Sequence, residues 1–535
     1  MAKVLFHNGR IWRNSAEWNS WMIVDQVSGK VDKCGSGDAP AKEKFKEMHD
    51  LKQQWVFPGF HDSHMHAAYL GARLNKKSYL QSPTSVAVLK TTLKHLASSS
   101  DGSDDGWFVG YGWDHLMMDR MPTKDDLDEV IPNRPVLLYR VCYHIAVANS
   151  KALALAGITL LTKNPENGVI DRFPNGHEKS GEPTGVVRED GGVGVVKKVI
   201  PPVSSEQKKE NILAALHDCL RLGITSIHTV EECYWNEYVS LAKEDKLPVH
   251  CYFSAVYSDM DTENCPSAGE EHNNLSCKFI KIFVDGALNT QTAALSMPYV
   301  GSNATGVLQF TRNELEMMFT RVNNAGYRLE IHVIGDRAAE LVLDCLESCG
   351  INPDKRPILV HCQILRSDLL HRMKKLGVVP TIQPSFVVTD SKAVRKLLPR
   401  PLQKCIYPWK TLLETGIICG GSSDAPVESH NPIQGLYDAI FRTDLMSDSE
   451  EPFIKRECLT FQEAVALYTT GSAYADGVED LKGKLECGYQ ADFVVLNTYA
   501  LTNEPVNLPQ TPELLKSTSV NEVWIKGKCA WKNLK

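Results

Sequence analysis

Three things are missing from this sequence, and each absence removes a class of protein. No run of uncharged apolar residues reaches the roughly 18 to 20 that cross a bilayer, so no membrane-spanning helix is expected. No basic block occurs either. The 58 Lys and Arg residues are interspersed with 65 Asp and Glu residues, giving a net charge of −7 and a pI near 6.2. This argues against a nucleic-acid surface. The 15 cysteines contain no CxxC pair, Cys345 and Cys349 coming closest. They read as core fillers and free thiols of a reducing compartment, not as bridges. Near the amino terminus Val4-Leu5-Phe6 is far shorter than a secretory apolar core of about 7 to 15 residues. A cytoplasmic protein is expected, acting on a small molecule, with no membrane or nucleic-acid partner and with assembly as a homodimer left open.

What is present is enough apolar residue, 43% of 535, to bury a sizeable core. One large barrel with appendages accounts for the length. The first 55 residues alternate short apolar runs with turns at Asn8-Gly9 and Ser28-Gly29, a hairpin pattern. The far end repeats it around Gly483-Lys484-Leu485, 491–496 and 523–528. Each piece is too short to bury a core alone, so residues 1–55 and 475–535 are expected to form one composite β-sandwich. Between them, residues 56–474 alternate strand-like runs with helical patterns such as 312–325, which predicts an α/β fold, a TIM-type (β/α)8 barrel. Candidate strands are 55–60, 136–141, 224–230, 249–256, 279–284, 329–333, 358–360, 378–382 and 417–420, one more than a barrel holds. The segment at about 70–203 is too long for a βα loop. Its turns (Asp101-Gly102, Asp104-Asp105-Gly106, Gly181-Glu182-Pro183) and its own strand at 136–141 suggest an inserted subdomain after barrel strand one.

The sharpest chemical signal is Phe57-Pro58-Gly59-Phe60-His61-Asp62-Ser63-His64-Met65-His66. Residues two apart on an extended chain point the same way, so His64 and His66 can face one metal. They end an apolar run, where barrel enzymes place their sites. Two further apolar runs end in a histidine, Leu329-Glu330-Ile331-His332 and Ile358-Leu359-Val360-His361. Alone, each is more often a hydrogen-bonded core histidine than a ligand; three such placements call for a shared partner, and a cation supplies it. Asp424, in Gly420-Gly421-Ser422-Ser423-Asp424-Ala425-Pro426, puts a carboxylate at the end of the last candidate strand. By itself it would be a cap or turn residue; beside the histidines it is the expected general base. Lys281 shares a strand side with Phe279 and Phe283, odd for a free ammonium. Either it snorkels away or it is chemically altered to carry negative charge.

Together these motifs, with Lys281-Ile282-Phe283-Val284-Asp285-Gly286, His332-Val333-Ile334-Gly335-Asp336-Arg337-Ala338 and His361-Cys362-Gln363, resemble the amidohydrolase superfamily. More narrowly, the chain is similar to its YtcJ-like branch, which includes N-substituted formamide deformylases. The likeness runs over essentially the whole chain, including Gly483-Lys484-Leu485-Glu486-Cys487-Gly488-Tyr489-Gln490-Ala491-Asp492-Phe493. It implies one or two divalent metals, zinc foremost with other divalent cations open. His64 and His66 would bind the more buried ion with Asp424 close by, and His332 and His361 would hold a second ion or complete the first site. Lys281 would be the strand-four lysine that many members carboxylate with carbon dioxide, which leaves Val136 inside the insertion. His144, ahead of Asn149-Ser150-Lys151-Ala152-Leu153, would contact substrate and polarise its carbonyl, and Gly110-Tyr111-Gly112-Trp113-Asp114 would line the pocket. Phe386 stands where many relatives carry histidine, which implies a more apolar pocket.

The reaction implied is hydrolysis of a carbon–nitrogen bond in a non-peptide amide, an N-acyl or N-formyl compound. Water is activated by the metal and deprotonated by Asp424. A deaminase, cyclic amidase or esterase would use the same site, because fold does not fix substrate. A regulatory protein on an inactive barrel is the rival from another class.

Overall fold

The computed structural model describes residues 3–14, 17–41, 45–75, 79–80, 82–99, 106–443, 452–497 and 512–533; the turns at Asp101-Gly102 and Asp104-Asp105 lie outside them. It divides into two compact units, Ala68–Ala214 and the combination of Met1–Ala67 with Ala215–Lys535.

The larger unit is built on eight strands, numbered here β1 (Phe60–Met65), β2 (Ile224–Glu231), β3 (His250–Val256), β4 (Leu275–Phe283), β5 (Arg328–Val333), β6 (Ile358–His361), β7 (Val379–Ile382) and β8 (Gly420–Gly421). Each pairs in parallel with the next in this order. The first and last are bridged by Asp424 N–H donating to His64 O at 2.9 Å and His66 N–H donating to Ala425 O at 2.7 Å. The barrel is thus nearly closed, and its strands are buried almost throughout, polar residues included. The helix Arg312–Asn324 between β4 and β5 starts with a capping box, Thr311 and Glu314 satisfying each other's backbone N–H, and buries Leu315, Met318, Phe319 and Val322.

The 55–60 run is not one strand. Trp55–Pro58 pairs with Phe493–Asn497 and Arg10–Asn14 in a sheet drawn from both chain ends, whereas β1 begins at Phe60. Gly59 divides them: a Cβ there would sit 2.2 Å from Thr225 Oγ1. A second sheet, with strands Lys30–Gly35, Trp21–Asp25, Lys3–His7 and Glu47–Asp50, shares an apolar cluster with the first that includes Phe6, Val24, Val56, Phe493 and Trp524.

The Ala68–Ala214 unit contains its own five-stranded sheet, in the order Val169–Arg172, Pro183–Arg188, Ile145–Ala148, Val136–Arg140, Phe108–Trp113. Alternate residues feed two cores, Val136, Leu138 and Val147 on one face and Leu137, Ala146 and Val187 on the other, so both faces are covered. Val136–Arg140 therefore has no place in the barrel. Among the described residues, no helix is long and apolar enough to cross a membrane.

Candidate active site

The carboxyl ends of β1, β5, β6 and β8 carry the histidines and the aspartate. Nε2 of His64 and Nε2 of His66 each lie 3.3 Å from the same oxygen, Oδ1 of Asp424. The ligand atoms of these three residues fall within 4.8 Å of one another. The His64 ring centroid is 5.3 Å from that of His66 and 5.7 Å from that of His361, and His361 is 4.5 Å from His332. Side chains from four strands thus meet at one mouth. Asp424 and His361 both hold left-handed backbone, φ 57° and 76°, the kind of strain that concentrates at functional sites.

The hydrogen bonds on the far side of each ring decide which nitrogen faces inward. His64 Nδ1 is 2.8 Å from Glu330 Oε1, and His66 Nδ1 donates to Val230 O at 2.9 Å. His361 Nδ1 donates to Gln383 Oε1 at 2.9 Å. The Gln383 amide cannot be reversed, because its nitrogen already donates to Thr381 O and Ser422 Oγ. With Nδ1 the donor in all three, Nε2 carries a lone pair. Two imidazole lone pairs then confront one carboxylate oxygen, an arrangement that a shared cation reconciles. The donor set of two nitrogens and an oxygen suits a divalent transition metal, with His361 next to it. His332 differs: its Nε2 donates to Gly286 O at 3.2 Å, so that nitrogen carries a proton and is not a ligand atom.

The electrostatics follow from burial and pairing. Burial opposes ionisation of Asp424, but pairing with His64 and His66, through a proton or a shared cation, outweighs it and holds the carboxyl well below its ordinary range. Burial lowers the His66 pKa, but Asp424, together with Glu231 and the Val230 carbonyl, raises it above its ordinary value. His361 falls to about 3, chiefly through burial, so it stays neutral.

Lys281 does not snorkel away to solvent. It is fully buried, its ammonium 3.3 Å from Glu330 Oε1 and 5.3 Å from the Phe283 ring centroid. Glu330 is the partner that the sequence reading overlooked. It stands two residues before His332, on the same side of β5, in a run otherwise apolar, and that parity was the available signal. Its other oxygen accepts from His228 Nε2 at 3.1 Å and from Ser254 Oγ. His228 in turn is 2.6 Å from Asp476 through Nδ1. Burial would discharge His228, yet the two carboxylates hold its pKa at about 10.

His144 lies in the Ala68–Ala214 unit, where its Nδ1 pairs with Glu189 Oε2 at 3.0 Å. Trp113, expected to line a pocket, is instead fully buried in that unit's core with its indole N–H on Leu138 O. Phe386 sits 6.1 Å from the His361 ring and gives the site an apolar edge.

A nearly closed parallel barrel with histidines and an aspartate converging at the carboxyl ends of its strands defines a metal-dependent hydrolase. The sequence profile of the amidohydrolase family matches residues 47–530, and the chain belongs to that family. It is 32% identical to YtcJ of Bacillus subtilis (strain 168), whose name assigns it to the amidohydrolases, over 95% of this chain and 96% of that one. The N-substituted formamide deformylase of Arthrobacter pascens is 26% identical, covering 84% of this chain and 85% of its own. Among solved structures, an uncharacterised metal-dependent hydrolase from Pyrococcus furiosus is 28% identical with a TM-score of 0.72, over 92% of this chain and 98% of that chain.

Proposed function

We propose that this protein hydrolyses the carbon–nitrogen bond of a non-peptide amide, an N-formyl or N-acyl amine with an apolar body, at a centre held by His64, His66 and Asp424. The observation that carries the reading is the meeting of both Nε2 atoms on Asp424 Oδ1 at 3.3 Å. His361 and His332 complete the surroundings of that centre. Zinc fits the nitrogen-rich set; when bound, a divalent ion lowers the pKa of the attacking water and polarises the substrate carbonyl.

The chain's own residues perform the proton transfers. Asp424, kept ionised by its neighbours, takes the proton that water loses as its oxygen bonds the carbonyl carbon. It returns that proton to the nitrogen as the C–N bond breaks, so the amine leaves neutral. His361 stays neutral because burial brings its pKa down to about 3, and Gln383 holds its one proton on Nδ1. Phe386 excludes water from one edge and favours an apolar acyl or amine substituent. The N-formyl class is supported by the resemblance to the Arthrobacter enzyme.

The test is turnover of N-formyl and N-acyl amines by the zinc-loaded protein, with formate or carboxylate release measured against ammonia release. Asp424→Asn, compared with wild type at equal zinc occupancy, should lower kcat by at least about 100-fold, the lower end for losing a general base. Retained activity refutes the base; ammonia as sole product assigns a deaminase instead.

A further inference from the structure

We propose that the buried chain Asp476–His228–Glu330 is a positioning relay that fixes His64 as an Nε2 ligand, which rests on the reading of His64 as a metal-binding residue. The residues come from three separate places, β2, β5 and the helix Ser472–Asp476, and all are fully buried. Glu330 has two oxygens and four donors: His64 Nδ1 at 2.8 Å and Lys281 Nζ at 3.3 Å on one, His228 Nε2 at 3.1 Å and Ser254 Oγ on the other. An acceptor this fully used cannot rotate without breaking several bonds at once.

Its effect on His64 is direct. A carboxylate facing Nδ1 requires the proton there and so leaves the lone pair on Nε2, the atom that faces Asp424. His228 keeps the carboxylate in place, since both of its nitrogens face acids: Asp476 Oδ1 at 2.6 Å and Glu330 Oε2. Ser254 Oγ also lies 2.9 Å from His228 Nε2, closing a small ring with Glu330. Partners of this kind set metal affinity without touching the metal.

Zinc itself is the probe, its affinity measured by chelator competition on the purified full chain, with thermal melts alongside. Glu330→Gln must turn an amide N–H2 toward groups that are themselves donors, and zinc binding should weaken by about 10- to 100-fold. Ser254→Ala removes one of the four donors and should weaken zinc binding by less. Ring 15N signals of histidine-labelled, metal-free wild type should show His64 as the Nδ1–H tautomer, and Ser254→Ala should shift part of it to Nε2–H. The tautomer separates this role from the stray charge of Lys281 that Glu330→Gln also leaves behind. A merely structural Glu330 would lower the melting point and leave the tautomer and the affinity of folded protein unchanged, which overturns the proposal. So does an Nε2–H His64 in the wild type. If Glu330→Gln does not fold, Ser254→Ala and the wild-type tautomer decide. His64→Ala is the separate control: wild-type zinc affinity there removes the metal-centre reading itself. Loss of zinc there, with wild-type affinity in Glu330→Gln, removes only the relay.

Discussion

Lys281→Met would decide what the buried lysine is for. The ammonium is inaccessible to solvent and pairs with Glu330 at 3.3 Å. Removing one partner of a buried pair costs about 3 to 5 kcal/mol, because the other charge is left uncompensated. Here Glu330 keeps the His228 imidazolium on its second oxygen, so the loss belongs at the lower end, about 3 kcal/mol. Urea unfolding of metal-free protein at neutral pH, followed by tryptophan fluorescence, measures it. The cycle with Glu330→Gln and the double variant isolates the pair, and the double variant should recover part of what Lys281→Met loses. Lys281→Met as stable as wild type would refute the ion-pair account. So would a lysine carbamate signal in protein equilibrated with 13C-bicarbonate, since a second anion beside Glu330 contradicts the pairing.

Two other outcomes follow from packing and charge in the larger unit. Gly435 lies in the helix Pro432–Phe441 where an added Cβ would come 2.0 Å from Tyr468 Oη, so Gly435→Ala should destabilise by about 1 to 3 kcal/mol. Adding Tyr468→Phe deletes the nearest obstructing atom but leaves the ring, whose Cζ would stand 2.6 Å from the new Cβ, so it should recover only part of the loss in thermal melts; no recovery means the ring, not the hydroxyl, is the obstacle. Burial works against ionised Glu522, but hydrogen bonds from His49, Lys532 and Trp524 prevail and bring it to about 2 from an ordinary 4.5. A lowered folded-state value means stability that is complete above about 4.5 and lost as the pH falls toward 2. Glu522→Gln should flatten urea midpoints over that window, and an unchanged pH profile refutes the pairing.

The barrel was legible because its strands announce themselves by period and by what ends them. Ile331-His332 and Val360-His361 show apolar strands reaching a polar mouth, and β5 and β6 stand at those positions. Lys281 as strand four and Asp424 after strand eight agree with the observed sheet order. The boundary at Gly59 was not legible, since Trp55 to Phe60 is uniformly apolar whichever sheet it joins. Glu330, His228 and Gln383 were also passed over. Glu330 is a lone acid beside apolar neighbours, His228 stands among Thr225, Ser226 and Thr229, and Gln383 follows the end of β7. The meaning of each depends on partners over a hundred positions away in some cases: Glu330 and His64 are 266 residues apart. Local pattern reports that such a residue is buried; only the fold reports what it touches.

The barrel's seam coincides with its chemistry. Ser423 donates to Asp62 across 361 residues of chain, and Asp424 and His64 join the first and last staves by a backbone bond. During synthesis His64 and His66, at the end of β1, must therefore wait for most of the polypeptide before Asp424 emerges. A ribosome-bound or truncated chain ending before Asp424 would hold an open, metal-poor cylinder, and hydrolytic competence would arrive in one step as the last stave slots in.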